Sequence, residues 1–278
     1  MKHKKNYDII VCGGGHAGVE AALIASKLNC IVGLVTLDKK AVGRMSCNPA
    51  IGGLAKGQIV REIDVLGGAM GLATDHSGIQ FKILNQSKGK SVWSPRAQVD
   101  KRSYEQFVSG QVYKDKKIGI VQGEVVSLLV SNNTVSGVCL RGGEKLSSSA
   151  VILTCGTFLN GLIHVGQRKI RAGRMGESGA EGITEFLASL GFVTGRLKTG
   201  TPPRLDRKTI DWGKTVVNQG DKTPLPFSYE TKNFNPPNIP CHTITTGVSC
   251  KNIIEELSLI HISEPTRRYA ISYAVFCL

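Results

Sequence analysis

The sequence predicts an α/β protein of the Rossmann-like, doubly wound class, with a second, basic, mixed α/β region inserted into it. Three observations carry that expectation. An apolar run of strand length, Ile9–Cys12, enters the glycine cluster "GGGHAG". A helical recurrence of Val19, Ala22, Leu23 and Ser26 follows, and a second apolar run, Ile31–Thr36, completes a strand–helix–strand unit. Beyond Gly161 the chain turns rich in Arg, Lys, Pro and Gly, as an excursion from such a core would be. The expected division is 6–161 for the first part of a dinucleotide-binding domain, 162–256 for the truncated inserted domain, and 257–278 for a segment apart.

Gly13, Gly15 and Gly18 stand where a strand turns into a helix. The first allows a tight turn, the second a close approach of pyrophosphate to the backbone, and the third close helix–strand packing. The N–H groups of Gly14, His16 and Ala17 belong to the same turn and helix start, which favours anionic phosphate. Asp38 lies 20 residues beyond Gly18, at the usual separation of a ribose-binding carboxylate, although Thr36 competes for the strand-end position. The motif does not distinguish FAD from NAD.

Residues 41–57 read as a glycine-rich loop holding Cys47 between Arg44 and Lys56. Positive neighbours lower a thiol's pKa, so Cys47 is a candidate nucleophile; a cysteine filling a structural turn is the alternative. The segment "KGQIVREIDVLGGAMGLATD" predicts one helix with Ile59, Ile63 and Leu66 on its packed face. A further helix is expected over 95–114, strands over 118–140 and 150–161, and a helix over 181–190. The proline-punctuated stretches after residue 200 predict strands and loops.

The 278 residues are 41% apolar, which suits a globular chain with a real core, and no apolar run is long enough to span a membrane. A cytoplasmic, non-membrane protein is the expectation. Eight cysteines stand singly, without CxxC or CxxH spacing, so no metal site is expected. A formal charge of +14 favours an acidic partner such as nucleic acid or a phosphorylated ligand, or else only confers solubility. Arg196, Lys198, Arg204, Arg207 and Lys208 form the densest basic stretch. With Arg168, Lys169, Arg171 and Arg174 they offer phosphate contacts; aromatic side chains for base stacking are sparse there apart from Trp212.

From Leu257 the text "LSLIHISEPTRRYAISYAVFCL" has no glycine and neither helical nor strand periodicity. It resembles the conceptual translation of sequencing-library adapters and is expected to be non-native. It contributes Arg267, Arg268 and Glu264, so excluding it lowers the net charge by one and leaves the basic balance intact.

The blocks "GGGHAGVEAA", "MSCNPAIGGLAKG", "EIDVLGG", "GIQFKILNQSKG", "RAQVDK", "LTCGTFLNG", "AGRMGE" and "GRLKTGTPPRLD" follow one another in order. Together they resemble the N-terminal part of the MnmG (GidA) family of FAD-dependent tRNA wobble-uridine modification enzymes, over most of residues 6–256. The resemblance implies an FAD domain with an inserted α/β domain. It implies addition of an aminomethyl-type group at uridine C5, with methylenetetrahydrofolate as one-carbon donor and NADH as reductant. The GTPase MnmE as partner and a homodimer are implied as well. Gly13–Gly18 would hold FAD, Val125 would touch it from its strand, and Ala180 would add a backbone contact. Cys47 matches the cysteine proposed to add to uridine C6, which makes C5 nucleophilic. The family's second cysteine block, NADH segment and helical C-terminus have no counterpart here, and Cys277 lacks the surroundings of that second cysteine. The 278-residue chain is therefore expected to be inactive. The competing readings are a folate-dependent tRNA uridine methyltransferase, a flavin disulfide reductase and a non-catalytic flavin- or RNA-binding fragment. The unpaired Cys47 argues against the reductase, and "LKTGTPPR" beside "SCNPAIGG" against the methyltransferase.

Overall fold

The computed structural model describes residues 6–46, 48–165, 168–174, 176–196, 204–245, 247–256 and 273–276. They fall into two compact units interleaved along the chain: residues up to 45, 66–73 and 101–194 in one, and 46–65, 74–100 and 195 onward in the other. The linear division expected at residue 161 thus differs from the spatial one. The reason is that two segments inside the first 100 residues, 46–65 and 74–100, supply the strands of the second unit's sheet.

The first unit is built on a six-stranded sheet. Its parallel part consists of β1 (Asn6–Cys12), β2 (Val32–Thr36), a strand at Ile118–Gln122, and most of one at Lys145–Leu153. Helix α1 (His16–Lys27) links β1 to β2, burying Val19, Ala22, Leu23 and Ala25, so the predicted strand–helix–strand unit is present. All five residues of β2 are buried, as befits a central parallel strand covered on both faces.

The second unit begins with β3 (Ala50–Gly52), inside what the sequence suggested was only a loop. Helix α2 (Lys56–Val65) follows in this unit; α3 (Met70–Ser77) comes after a break, its first four residues in the first unit and its last four in the second. The single helix expected here is divided at Gly67, whose φ of +86° no helix accommodates. The expected packed face is also wrong: Ile59 and Leu66 are 52% and 74% exposed, whereas Gly57, Val60 and Asp64 are buried. The cause is a close approach, since a Cβ on Gly57 would lie 2.4 Å from the Pro95 carbonyl oxygen.

Strand β4 (Gly78–Leu84) pairs antiparallel with β5 (Ser94–Val99), which also pairs with β3. The helix expected over 95–114 starts only at α4 (Lys101–Lys114), because residues 94–99 are spent on this sheet. In the first unit, α4 buries Tyr104, Val108 and Val112. After α4 come β6 (Ile118–Gln122), β7 (Val125–Ser131), β8 (Thr134–Leu140) and β9 (Lys145–Leu153), the last three forming an antiparallel meander that closes the order β6-β2-β1-β9-β8-β7. Beyond them, β10 (Leu162–Val165) and β11 (Arg168–Arg171) make a hairpin, and α5 (Ile183–Ser189) matches the helix expected at 181–190.

In the second unit, β12 (Val216–Asn218) and β13 (Cys241–Thr245) pair antiparallel, α6 (Val248–Glu256) follows, and β14 (Tyr273–Phe276) pairs with β13. Four residues of the segment set apart by its sequence are therefore in a strand. A half-buried carboxylate anchors the segment between β12 and β13. Asp75 accepts hydrogen bonds from the N–H groups of Phe227 and Ser228 at 2.7 and 2.9 Å and from Thr231 Oγ1 at 2.6 Å; Asp64 accepts from the Tyr229 N–H at 2.9 Å. Arg61 donates to the Pro226 carbonyl and lies over the Tyr229 ring. Burial pushes the Asp75 carboxyl up, and the hydrogen bonds it accepts oppose that rise.

In the first unit, Glu124 is held below the usual carboxylate range, chiefly by the hydrogen bond from Arg141. A depressed folded-state pKa adds stability above the unfolded value that is lost as pH falls through the folded one. Glu124→Gln should therefore narrow the loss of thermal stability between about pH 7 and about pH 3. Arg141 is half exposed, so the difference in midpoint should not exceed ~2 °C. Thermal unfolding of both chains across that range checks it.

Candidate dinucleotide site

The candidate site starts from three glycines that differ in what the protein asks of them. Gly13 has φ +117°, and a Cβ there would lie 2.3 Å from the Thr154 carbonyl oxygen. A Cβ on Gly18 would sit 1.8 Å from the Gly13 carbonyl oxygen and 2.8 Å from Thr154 Oγ1. Both positions are thus glycine because β1, α1 and the end of β9 meet there. Gly14 is close to Thr36, with a Cβ 3.0 Å from its Oγ1. Gly15 is different. Its φ is −77°, open to any residue, and a Cβ would meet nothing within 4 Å. Among the described residues no contact demands glycine at that position.

Gly15 is also the N-cap of α1, in extended conformation and without a side-chain cap; the first intrahelical bond runs from the Val19 N–H to the Gly15 carbonyl. The amides at the start of α1 therefore lack intrahelical acceptors and present partial positive charge to the open side of the turn. That arrangement fits a pyrophosphate, and the site chemistry is that of a dinucleotide cradle.

His16 and Ala17 form the first turn of α1. The His16 ring packs edge-on to Tyr104, with centroids 5.5 Å apart, and its buried Nδ1 has no hydrogen-bond partner among the described residues. Burial, then the positive charge of Arg174, holds the imidazole below its ordinary pKa, so it is neutral near pH 7.

Asp38 lies two residues past the end of β2. Its Oδ1 accepts from the Lys40 N–H at 2.9 Å, and its Oδ2 pairs with Arg44 at 3.4 Å, while Thr36 is the true strand end. Arg44 in turn binds Glu177 at 2.7 Å. A ribose contact by Asp38 would share a carboxylate already engaged on both oxygens. Val125 opens β7 with its side chain in the core among Ile10, Val121 and Leu140. Ala180 donates its N–H to the Phe158 carbonyl at 3.1 Å and accepts from the Asn160 N–H at 2.8 Å. Its backbone polar groups are thus already committed to the protein, leaving only a second carbonyl lone pair. Sequence reasoning carried neither commitment, because both follow from partners distant in the chain.

Cys47 lies outside the described residues, as does Lys198. Cys12, at the end of β1, is a buried thiol whose pKa burial pushes up to about 12, which makes it an inert core residue rather than a nucleophile. Sequence reasoning did not single out Thr154. It lies at the centre of the turn, donating from Oγ1 to the Cys12 carbonyl at 3.0 Å and the Gly13 carbonyl at 3.2 Å. Only its position after the apolar run of β9 signalled it.

In the second unit, Arg196, Arg204, Arg207 and Lys208 are exposed, and Asp206 caps the short turn carrying the last two by accepting from the Lys208 N–H at 3.0 Å. In the first unit, Arg168, Lys169 and Arg171 are exposed along β11. Among the described residues no cluster of side chains has metal-binding composition, and no helix is long and apolar enough to cross a membrane.

Comparison with known proteins places these features. The sequence pattern of the family described as "Glucose inhibited division protein A" matches residues 8–264. A protein of Thermodesulfovibrio yellowstonii named tRNA uridine 5-carboxymethylaminomethyl modification enzyme MnmG is 48% identical over 254 residues, which is 91% of this chain and 41% of that protein. The protein of the same name from Aquifex aeolicus is 48% identical over 226 residues, or 81% of this chain and 37% of its own length. The crystal structure of Aquifex aeolicus GidA, form II, superposes with a TM-score of 0.85 at 44% identity, covering 91% of this chain and 43% of the other. The chain thus spans about two fifths of the length of the relatives it matches.

Proposed function

The chain belongs to the glucose-inhibited division protein A family, and from that membership we propose that it is the N-terminal portion of an FAD-dependent enzyme that modifies the C5 position of the wobble uridine in tRNA. The observation that carries the cofactor assignment is Gly15, a glycine that nothing among the described residues requires, placed at the uncapped start of α1. FAD would be held by the backbone of Gly13–Gly18, and when bound it supplies the redox chemistry of the reaction. Asp38, Val125 and Ala180 would lie at the edges of that site.

The chain's own residues have three tasks in this reading. Gly15 and the first amides of α1 fix the pyrophosphate, and the neutral His16 sits beside them without adding charge. Cys47 adds its thiolate to uridine C6, and the electron pair displaced from the C5–C6 bond makes C5 the nucleophile; the thiolate leaves again when the C5 proton is lost. Arg196, Lys198, Arg204, Arg207 and Lys208 take up tRNA phosphates without reading sequence. Methylenetetrahydrofolate as one-carbon donor, NADH as reductant, MnmE as partner, a homodimer and a cytoplasmic setting belong to the whole-length protein. The 278-residue chain alone has little or no turnover, because three fifths of the enzyme is missing from it. Residues 257–278 are proposed to be non-native.

The test is made on the whole-length protein. It should purify with one equivalent of FAD and bind tRNA with a steep salt dependence. Replacing Arg207 or Lys208 by Ala should weaken binding to every tRNA alike and lower the slope of log K against log salt by about 1 each. A protein without flavin, or slopes unchanged in both variants, would contradict the assignment.

A further inference from the structure

We propose that the second unit contains a separate binding site for a small carboxylate, centred on Arg96 and independent of the dinucleotide site. Strands β4 and β5 pair so that Gln80 faces Gln98 and Lys82 faces Arg96. Alternation puts all four side chains on one face of the sheet. They line a cavity of about 90 Å³ together with Leu84, Asn218 and Cys241.

The hydrogen bonding within this cavity is uneven. Gln80 is saturated as a donor: its Nε2 gives hydrogen bonds to the carbonyls of Asn218 and Ile239 at 3.0 and 2.8 Å. Lys82 donates to Asn218 Oδ1 and to the Gln219 carbonyl, leaving one of three ammonium protons. Arg96 and Gln98, two residues apart on β5, have no side-chain hydrogen bond or ion pair with the protein among the described residues.

An arginine directly across a strand pair from a lysine is a repulsive placement, and no carboxylate of the described residues pairs with either. Burial alone depresses the Arg96 guanidinium, with no anion to offset it. A protein that keeps two cations and an unused amide around a cavity lacks the anion that would balance them. The planar guanidinium fork matches a carboxylate in two parallel hydrogen bonds, and the Gln98 amide and the last Lys82 proton complete its shell. The volume admits a group of a few heavy atoms, too few for a nucleotide. Asn218 is neutral and leaves the Lys82 charge in place, so the preference for a carboxylate over phosphate rests on the planar fork and the small volume.

Sodium acetate is the probe, titrated against the whole-length protein and its Arg96→Gln and Arg96→Lys variants at fixed ionic strength, with thermal unfolding and calorimetry as readouts. The wild-type midpoint should rise saturably with acetate. The apparent affinity should fall at least ~10-fold in Arg96→Gln and less in Arg96→Lys, which keeps the charge without the fork. Inorganic phosphate at the same ionic strength should give a smaller response than acetate. Without ligand, Arg96→Gln should be at least as stable as the wild type, since it removes repulsion and desolvation. The proposal is overturned by an Arg96→Gln chain that binds acetate unchanged or that folds less stably. It is equally overturned by a phosphate response matching that of acetate, or by a wild-type chain with no saturable acetate response.

Discussion

Replacing Gly15 by Ala is expected to release the flavin from the whole-length enzyme while leaving its folding intact, whereas Gly18→Ala is expected to damage the fold itself. The two glycines are three residues apart and belong to the same motif, yet their surroundings are opposite. At Gly18 a methyl group would stand 1.8 Å from the Gly13 carbonyl oxygen, so α1 must move away from β1. Overpacking of this kind costs ~1–3 kcal/mol or more and should lower the midpoint of chemical denaturation. At Gly15 the methyl group meets open space and an ordinary backbone conformation. Alanine there is neutral or slightly stabilising for the unliganded chain. In the complex, however, that methyl group would occupy the line along which pyrophosphate approaches the first amides of α1. A loss of affinity of 10-fold or more is expected, read by flavin fluorescence on dilution. If Gly15→Ala held FAD as tightly as the wild type, the cradle would have been misplaced.

Cys47→Ala in the whole-length enzyme is expected to abolish tRNA modification without loss of FAD and without loss of tRNA affinity. Covalent catalysis replaces one difficult substitution at an unactivated C5 by two easier steps, so the loss should reach ~10³-fold or more in turnover. Cys47→Ser is expected to fail too, because an alcohol at that position is a far weaker nucleophile than a thiolate near pH 7. Two readouts separate chemistry from structure. The variant should keep the wild-type flavin spectrum, and 5-fluorouridine-containing tRNA should form a covalent adduct with the wild type alone. Full activity in Cys47→Ala would remove the nucleophile role. The buried Cys12, with its pKa near 12, serves as the internal control: it should resist alkylation in the folded protein.

Local chemistry was enough to predict the strand–turn–helix unit on which the candidate cradle stands. Apolar runs of strand length, glycines at fixed offsets and a helical recurrence all lie within residues 9–36, and each speaks for its own neighbours. The helix ends were less legible. The segment from Lys56 carries one apolar pattern through Gly67, and only the left-handed conformation of that glycine divides it into α2 and α3. Likewise, "SPRAQV" has no alternation strong enough to mark β5, which forms because β3 and β4 flank it.

What the sequence alone established is the class of the fold, the family and the glycine motif, because those rest on short-range spacing and on blocks of identity. Only the tertiary structure decided how the chain is divided, since β3, β4 and β5 leave the first unit's segment to join residues 195 onward. It alone showed that Asp38 and Ala180 already spend their polar groups on Arg44, Lys40, Phe158 and Asn160. It also separated Gly15 from Gly18 and placed Arg96 opposite Lys82 around a cavity. The physical reason is the same in each case: a side chain's partners are set by strand register and by close approaches between residues far apart in the chain, 141 positions for Gly13 and Thr154 and 165 for Asp64 and Tyr229.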